Sequence, residues 1–400
     1  MFAEAAALCA ADRGALWGRS LCAPLMIADP QTRFAVASQA DGRGILRASA
    51  GVFTGALPAE QQIANTAMTW AGVGWVQLVW PLPADHAERA VLVIHELFHG
   101  TVGRALAGAP AGGDNAHLDR LEGRFYLQLE WRALGAALRA TDDAERRSAV
   151  GDALALRGAR RAQFPGAAAS EDALELNEGL AEYTGVVVAL AGPDERIRAA
   201  LRDLEAGVDA PSFVRSFAYA TGPAYGLLLD RYAPAWRGEI AQTRSLGDTL
   251  ARSLALALPD ATLAAARHGG EELRRREQAR EAEREARRVA YRSLLVDSHV
   301  VRLSLRHSRI AFDPRAVLPL DDLGSVYPAL RVVDDWGILE VSGGALLAAD
   351  WSSVVVPAPG DATLRAGPVT GPGWSLALAA GWRLVPAERA GDLRLGGAPQ

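Results

Sequence analysis

The stretch VLVIHELFHGTVG, residues 91–103, is a nearly continuous apolar segment that contains two histidines and a glutamate. An apolar run of this length, in which the polar residues recur at helical spacing, predicts a largely buried helix. Burying His95, Glu96 and His99 in such a helix costs several kcal/mol unless charged or hydrogen-bonding groups meet them. Those groups must come from elsewhere in the chain.

The spacing of the three polar residues fits a metal site. Residues i and i+4 of a helix lie one turn apart on the same face, so His95 and His99 can offer two imidazoles to one ion. Glu96 lies beside them, where it can reach a metal-bound water without ligating the metal. The alternative reading of this H-E-x-x-H pattern is two core histidines with satisfied hydrogen bonds and an incidental glutamate.

A catalytic zinc ion needs a third protein ligand and an open position for water. The residues directly after His99 do not supply that ligand. Val102 and Ala105 stand where the longer H-E-x-x-H-x-x-G-x-x-H motif has glycine and histidine. The best candidate is Glu178, in the segment ELNEGLAEYTG, residues 175–185.

Two neighbours of Glu178 support this choice. Gly179 is unfavourable inside a helix by about 1 kcal/mol relative to alanine, which predicts a close approach of two helices at this point. Glu182 lies four residues after Glu178 and shares its helix face. Its carboxylate could accept the free N–H of a ligating histidine and so fix the tautomer.

The two segments together resemble the gluzincin metallopeptidases. His95-Glu96-x-x-His99 followed by Leu176-Asn177-Glu178-Gly179-Leu180-Ala181 is most similar to the aminopeptidase N type, whose second motif reads W/L-N-E-G-F-A. The resemblance implies a helical, thermolysin-like catalytic domain that binds Zn²⁺. In that domain His95, His99 and Glu178 would be the zinc ligands and Glu96 the general base. Asn177 and Glu182 would support the ligands.

A third segment, SFAYATGPAYG at residues 216–226, extends the resemblance. The family places a tyrosine in a Y-x-K-G context after the third ligand, where its hydroxyl stabilises the developing oxyanion. Tyr219 stands in a similar context, with threonine in place of lysine. Tyr225 is the second candidate for this role, and an ordinary packed tyrosine is the alternative for either residue.

The chain departs from the family in two places. A long insertion between the motifs, residues 100–170, reads as two helices, HLDRLEGRFYLQLEWRALGAALRA and ERRSAVGDALALRGARRAQ. Its acidic and histidine residues could be extra ligands or could form salt bridges with Arg120, Arg124 and Arg132; they are His117, Asp119, Glu122 and Glu130.

The second departure is the missing G-x-M-E-N segment, with which this type of aminopeptidase binds the free amine of its substrate. Residues 64–80, ANTAMTWAGVGWVQLVW, stand at the comparable place and contain no acidic residue. The segment WVQLVW could instead be an edge strand that aligns an extended peptide by backbone pairing.

The whole chain of 400 residues predicts a multidomain α+β protein. Residues 1–85 read as the β-rich part of the catalytic unit and residues 86–260 as its helical zinc-peptidase part. Residues 261–295 alternate charges of both signs and predict a solvated spacer helix. Residues 296–400 return to strand-like alternation and predict a C-terminal β domain.

Composition restricts the partners and the compartment. A net charge of -5 without a basic face gives no reason to expect nucleic-acid binding. No apolar run reaches the length of a spanning helix, and no secretory signal is evident at residue 1. Cys9 and Cys22 could form a disulfide in an oxidising compartment or remain reduced in the cytoplasm. We slightly favour the extracytoplasmic alternative.

These observations predict a zinc-dependent peptidase that acts on a peptide or protein. The metal would activate a water molecule, Glu96 would take its proton, and Tyr219 would stabilise the oxyanion. Three alternatives remain: an aminopeptidase of the same clan, a catalytically silent zinc-binding or other binding protein on a peptidase scaffold, and a cytoplasmic helical protein that binds no metal.

Overall fold

The computed structural model of the protein describes residues 1–58, 61–103, 115–312, 317–359 and 369–397. The predicted α+β class is confirmed: strands come first, helices fill the middle, and strands return near the end. The chain divides into two compact units, Met1–Arg275 and Arg276–Gln400. The N-terminal strands and the helical region therefore belong to one unit.

The first unit begins with a short helix and a twisted sheet. Helix α1 spans Phe2–Asp12. The strands are β1 (Leu25–Ala28), β2 (Phe34–Ala37), β3 (Arg47–Ser49), β4 (Val52–Ala56), β5 (Thr66–Trp70) and β6 (Val73–Val79). Their order across the sheet is β3-β4-β2-β1-β6-β5, in which β1 and β6 are parallel and the other neighbours antiparallel.

The prediction that WVQLVW is an edge strand is wrong. This segment forms most of β6, which lies between β1 and β5. Trp75, Val76, Gln77 and Leu78 are all buried, and a strand covered on both faces reads as a continuous apolar run. The edge strand on this side of the sheet is β5.

A series of helices follows the sheet, and none in the described ranges is both long enough and apolar enough to cross a membrane. They are α2 (His86–Phe98), α3 (Leu121–Arg139), α4 (Asp143–Gln163), α5 (Ala167–Leu174), α6 (Leu180–Ala189), α7 (Pro193–Gly207), α8 (Phe213–Tyr232), α9 (Trp236–Thr243), α10 (Leu246–Leu254), α11 (Ala261–Arg267) and α12 (Gly270–Arg292). The two helices predicted for the insertion are α3 and α4, which pack against each other as a hairpin. Residues 104–114 of the insertion lie outside the described residues.

A disulfide closes a loop in the N-terminal segment, and this loop packs on the helical region. The sequence left open whether Cys9 and Cys22 are bonded or reduced, and in the structure they are bonded to each other. The loop between them carries Trp17, whose ring centroid lies 5.7 Å from that of Phe98 in α2. The Trp17 indole N–H donates to the hydroxyl of Thr184 in α6 at 3.0 Å. The loop therefore packs against both helices that carry the predicted motifs.

The predicted spacer, residues 261–295, contains two helices instead of one. Gly269 adopts a left-handed φ of 74° and separates α11 from α12. Helix α11 packs on α4, where Asp152 forms an ion pair with Arg267 and lies 2.9 Å from the Nε2 atom of His268. The boundary between the two compact units falls inside α12.

The second unit is a two-sheet β structure, in agreement with the predicted C-terminal strands. Its strands are β7 (Val300–Ser304), β8 (Arg309–Phe312), β9 (Leu318–Pro319), β10 (Ser325–Tyr327), β11 (Leu330–Asp334), β12 (Gly337–Val341), β13 (Ala345–Leu347), β14 (Ser353–Pro357), β15 (Val369–Gly371), β16 (Trp374–Leu378), β17 (Arg383–Pro386) and β18 (Leu393–Gly396). One sheet has the order β17-β18-β7-β14-β13-β10-β9 and the other β15-β16-β12-β11-β8. Alternate residues of both sheets, such as Val301, Leu303 and Val332, share one core.

Candidate metal centre

Helix α2 carries the first motif into the core. Asp85 caps the helix by accepting a first-turn backbone N–H at 2.9 Å. Ile94 and Leu97 pack in the main hydrophobic core. His95 and Glu96 lie between them in the sequence and are therefore buried as well. The two polar residues are only 3% and 6% exposed. The helix then widens into a π-helical turn, His99–Gly103, a feature frequent at functional sites.

The second motif also lies in a π-helical turn. Residues Glu175–Gly179 connect α5 to α6, and this turn contains Glu178. Glu178 is buried and 7% exposed. Helices α2 and α6 pack against each other, so the two motifs meet although they are far apart in the chain.

The close approach predicted at Gly179 is confirmed. A side-chain carbon at Gly222 of α8 would overlap the backbone of Gly179, and one at Gly179 would lie 3.1 Å from the carbonyl oxygen of Ala218. Only two glycines allow the backbones of these segments to come so near. The contact brings the first half of α8, with Tyr219, next to Glu178.

Three atoms from the two motifs form a small triangle. The Nε2 atoms of His95 and His99 lie 3.1 Å apart. The Oε2 atom of Glu178 lies 3.5 Å from Nε2 of His95 and 3.4 Å from Nε2 of His99. In the described part of the chain, these residues are the one set of three or more His, Cys, Asp or Glu side chains that could share a metal ion.

The size of this triangle fits a zinc ion. Zinc binds nitrogen and oxygen ligands at about 2.0–2.2 Å in a tetrahedral arrangement, which separates neighbouring ligand atoms by about 3.3–3.6 Å. Two edges of the triangle, 3.4 and 3.5 Å, lie within this range, and the third, 3.1 Å, lies just below it. Two imidazoles and one carboxylate are also the donor set of known catalytic zinc sites.

Protonation of the site follows from its hydrogen bonds. Burial by itself lowers the pKa of His95, but hydrogen bonds with Glu178 and Glu182 outweigh it and raise this pKa from 6.5 to about 9. Burial raises the pKa of Glu178, yet hydrogen bonds from His95, His99 and Tyr219 hold it well below its ordinary value. A divalent ion would compete with a proton here, because histidine binds metals as the neutral imidazole.

Glu182 and Asn177 contact the ligand residues, as the sequence analysis anticipates. The Oε2 atom of Glu182 lies 2.8 Å from Nδ1 of His95. A proton on Nδ1 leaves Nε2 free to ligate and points it at the centre of the triangle. The side-chain amide of Asn177 donates to Oε1 of Glu178 at 3.2 Å, which leaves Oε2 facing the histidines.

The contact with Glu182 leads to a prediction. Glu182→Ala should weaken zinc affinity by about 10- to 100-fold, because the ring of His95 loses the carboxylate that orients it. The measurement is a competition titration with a zinc chelator. Glu205→Ala, which removes an exposed carboxylate on α7, is the matched control and should leave the affinity unchanged. Equal affinities for wild type and Glu182→Ala would show that this carboxylate does not support the ligand.

Tyr219 contacts two of the three candidate ligand residues. Its ring stacks on His95, with a centroid separation of 5.4 Å and an interplanar angle of 5°. Its hydroxyl donates to Oε2 of Glu178 at 2.5 Å, the oxygen that faces the histidines. Burial, followed by the adjacent negative charge of Glu178, raises the pKa of Tyr219, so the hydroxyl keeps its proton and remains a donor.

Tyr225, the second candidate, lies away from the site. It is fully buried, and its hydroxyl donates to Oε1 of Glu130 at 2.6 Å. The two tyrosines are six residues apart on α8, so they point in different directions. The alternative of a packed tyrosine with a satisfied hydroxyl therefore describes Tyr225.

Glu96 is buried but free to accept a proton. Burial is the main cause of its raised pKa, which the positive charges of His95 and His99 only partly offset. Among the residues that the structure describes, none donates a hydrogen bond to its carboxylate. A carboxylate with a raised pKa and unused lone pairs is suited to general-base catalysis.

The four candidate extra ligands of the insertion have other partners. His117 lies 2.8 Å from Oε1 of Glu171, and Asp119 accepts the backbone N–H of Phe213 at 2.9 Å. Glu122 forms an ion pair with Arg274 of α12. Glu122 and Glu130 do form salt bridges, but the predicted partners Arg120, Arg124 and Arg132 are wrong for these two residues, whose arginines come from α12 and α4.

Glu130 belongs to a buried ionic cluster that the sequence analysis did not anticipate. We define this cluster as Glu130, Arg157, Arg160, Glu171 and Glu175, which are all at most 3% exposed. Arg157 donates to Glu130 at 3.2 Å and to Glu175 at 2.9 Å, and Arg160 donates to both oxygens of Glu171 at 2.8 and 2.9 Å. Since Glu175 begins the π-helical turn that contains Glu178, the cluster anchors the start of that turn.

The sequence analysis also missed one residue that contacts Glu178. Arg215 of α8 donates to Oε1 of Glu178 at 3.3 Å, while its side chain is 73% exposed. It lies four residues before Tyr219 and therefore on the same helix face. Counting back one turn from Tyr219 would have identified it.

Comparison with known proteins gives no relative. No protein-family model, no curated protein and no solved structure matches this chain. The similarity to gluzincins therefore rests on the short motifs around His95 and Glu178.

Proposed function

We propose that this protein is a zinc-dependent peptidase. The observation that carries the proposal is the triangle of Nε2 of His95, Nε2 of His99 and Oε2 of Glu178. Its edges of 3.1 to 3.5 Å are close to the ligand separations around one zinc ion. A bound zinc would lower the pKa of a water molecule and polarise the carbonyl group of the substrate.

The residues around the triangle would carry the proton transfers. Glu96 would take the proton from the attacking water and pass it to the leaving amine, for which its raised pKa is suited. Tyr219 would donate its hydroxyl to the oxyanion that develops at the substrate carbonyl. Its hydroxyl lies next to the ligand oxygen of Glu178, so it borders the place where the carbonyl must bind.

The sheet of the first unit offers a place for an extended peptide. Gly100 allows the turn after His99 to pack against β6, and a side-chain carbon at Gly100 would lie 3.9 Å from Cβ of Ala67 in β5. Among the described strands, β5 pairs on one side only. A peptide that added to this edge would run close to the metal ligands, with its backbone held by hydrogen bonds.

The gluzincin resemblance is part of this proposal. The ligand motifs H-E-x-x-H and N-E-G match the aminopeptidase N type, but residues 64–80 supply no carboxylate for a substrate amine. We therefore propose a peptidase that does not depend on a free N-terminal amine. The disulfide between Cys9 and Cys22 favours an extracytoplasmic site of action, because disulfides persist in oxidising compartments.

Zinc content tests the proposal most directly. The purified protein should contain a stoichiometric amount of zinc and cleave N-acetylated peptides in a mixture of random sequences, analysed by mass spectrometry. Glu178→Ala should lose both the metal and the cleavage, since two imidazoles alone hold zinc weakly. Glu205→Ala, the exposed control, should retain both. A wild-type protein without zinc affinity, or full zinc in Glu178→Ala, would refute the proposal.

A further inference from the structure

Arg215 is the exposed charge at the candidate metal centre. Its guanidinium approaches Oε1 of Glu178 at 3.3 Å, yet 73% of its side chain is open to solvent. Within the described residues this is its only hydrogen bond. Because the guanidinium has five N–H donors in a planar fork, most of its donors remain available to a ligand.

The acidic residues near Arg215 already have other hydrogen-bond partners. Glu178 contacts both histidines through Oε2, and its Oε1 accepts from Asn177 as well as from Arg215. Glu182 pairs with His95. Glu178 thus keeps its orientation without Arg215, and an exposed ion pair of this kind adds little stability. The position of Arg215 points to a role toward a ligand.

We infer that the substrate carries a carboxylate next to the scissile bond and that Arg215 binds this carboxylate. This inference rests on the proposed peptidase function and names its substrate class. The fork of arginine matches a carboxylate in a bidentate arrangement, which gives both charge and direction. Arg215 and Tyr219, one turn apart on α8, contact different oxygens of Glu178, so both face the reaction centre.

A C-terminal carboxylate lies close to a scissile bond that precedes the last residue. Three covalent bonds of about 1.33, 1.46 and 1.52 Å separate the scissile carbonyl carbon from the terminal carboxylate carbon, so the two carbons are within about 4 Å of each other. Arg215 contacts Oε1 of Glu178, so its guanidinium lies next to a proposed zinc ligand. An acidic side chain next to the scissile bond offers the same chemistry from a second source.

Peptide binding to the Glu96→Gln protein, loaded with zinc, tests the inference without hydrolysis. Fluorescently labelled peptides of alanine and phenylalanine are compared in pairs. One pair differs in a free or an amidated C-terminus. The other pairs are amidated and carry glutamate or glutamine at one position, with a separate pair for each position. We expect about 10- to 100-fold tighter binding of a carboxylate peptide in at least one pair, measured by fluorescence polarisation. The pair that shows the preference identifies the source of the carboxylate.

Variants at position 215 show whether this residue causes the preference. Arg215→Met in the same background should bind both members of each pair equally, while Arg215→Lys should keep part of the preference through its charge. Zinc content, measured beside each titration, should not change. Peptides that bind without a carboxylate preference, or a preference that survives Arg215→Met, would overturn the inference and leave the peptidase proposal intact. Failure of every peptide to bind would overturn both.

Discussion

Glu96→Gln should lower kcat/KM for peptide hydrolysis by about two to four orders of magnitude while the protein keeps its zinc. Glutamine has nearly the same shape as glutamate but cannot accept the proton of the attacking water. Glu96 is buried next to the candidate ligand His95, and no described residue donates a hydrogen bond to its carboxylate, so the amide displaces no structural contact. The measurement combines kinetics on a fluorogenic peptide with elemental analysis.

The control for this experiment is Glu88→Gln, the same chemical change in the first turn of α2. It should leave both activity and zinc content close to those of the wild type. A fully active Glu96→Gln protein would show that Glu96 is not the general base. Loss of zinc in Glu96→Gln would instead show that the carboxylate holds the metal.

Arg160→Met should lower the free energy of unfolding by about 3–5 kcal/mol, which is the usual result of removing one partner of a buried ion pair. Arg160 is fully buried and pairs with Glu130 and Glu171. Burial raises the pKa of Glu171, but Arg160 and His117 keep it far below its ordinary value. Methionine fills much of the space but leaves these carboxylates with less of the charge that stabilises them. Denaturant unfolding followed by circular dichroism measures the change.

Arg139→Met is the matched control. Arg139 lies on the surface of the same hairpin and forms an exposed ion pair with Glu205 of α7. The free energy of unfolding should change by less than about 1 kcal/mol in this variant. Similar effects of Arg160→Met and Arg139→Met would contradict the structural importance of the buried cluster.

Local spacing accounts for the parts of the site that the sequence predicted. His95 and His99 share a helix face because they are four residues apart, and Glu178 and Glu182 share a face for the same reason. The glycine after Glu178 predicted a close helix approach, which the contact between Gly179 and Gly222 confirms. The shared helix faces depend on helix geometry alone.

Contacts between distant segments account for what the sequence analysis missed or misplaced. WVQLVW has the composition of a strand, but only the pairing of β6 with both β1 and β5 places it inside the sheet. Glu130 was expected to pair with arginines of its own helix, and it pairs with Arg157 and Arg160 of α4. A charge on a helix can reach any neighbour that the fold brings near, so local spacing does not identify its partner.

The sequence by itself determined the α+β order of the elements and the residues that could ligate a metal, because the periodicity of a helix fixes which neighbouring side chains share a face. Only the tertiary structure decided that His95, His99 and Glu178 come close enough to share an ion and that Tyr219 and Arg215 contact different oxygens of Glu178. It also decided that Glu175, at the start of the turn with Glu178, belongs to a buried ionic cluster. Those arrangements depend on how helices cross, and the crossing is set by side-chain packing between segments far apart in the chain.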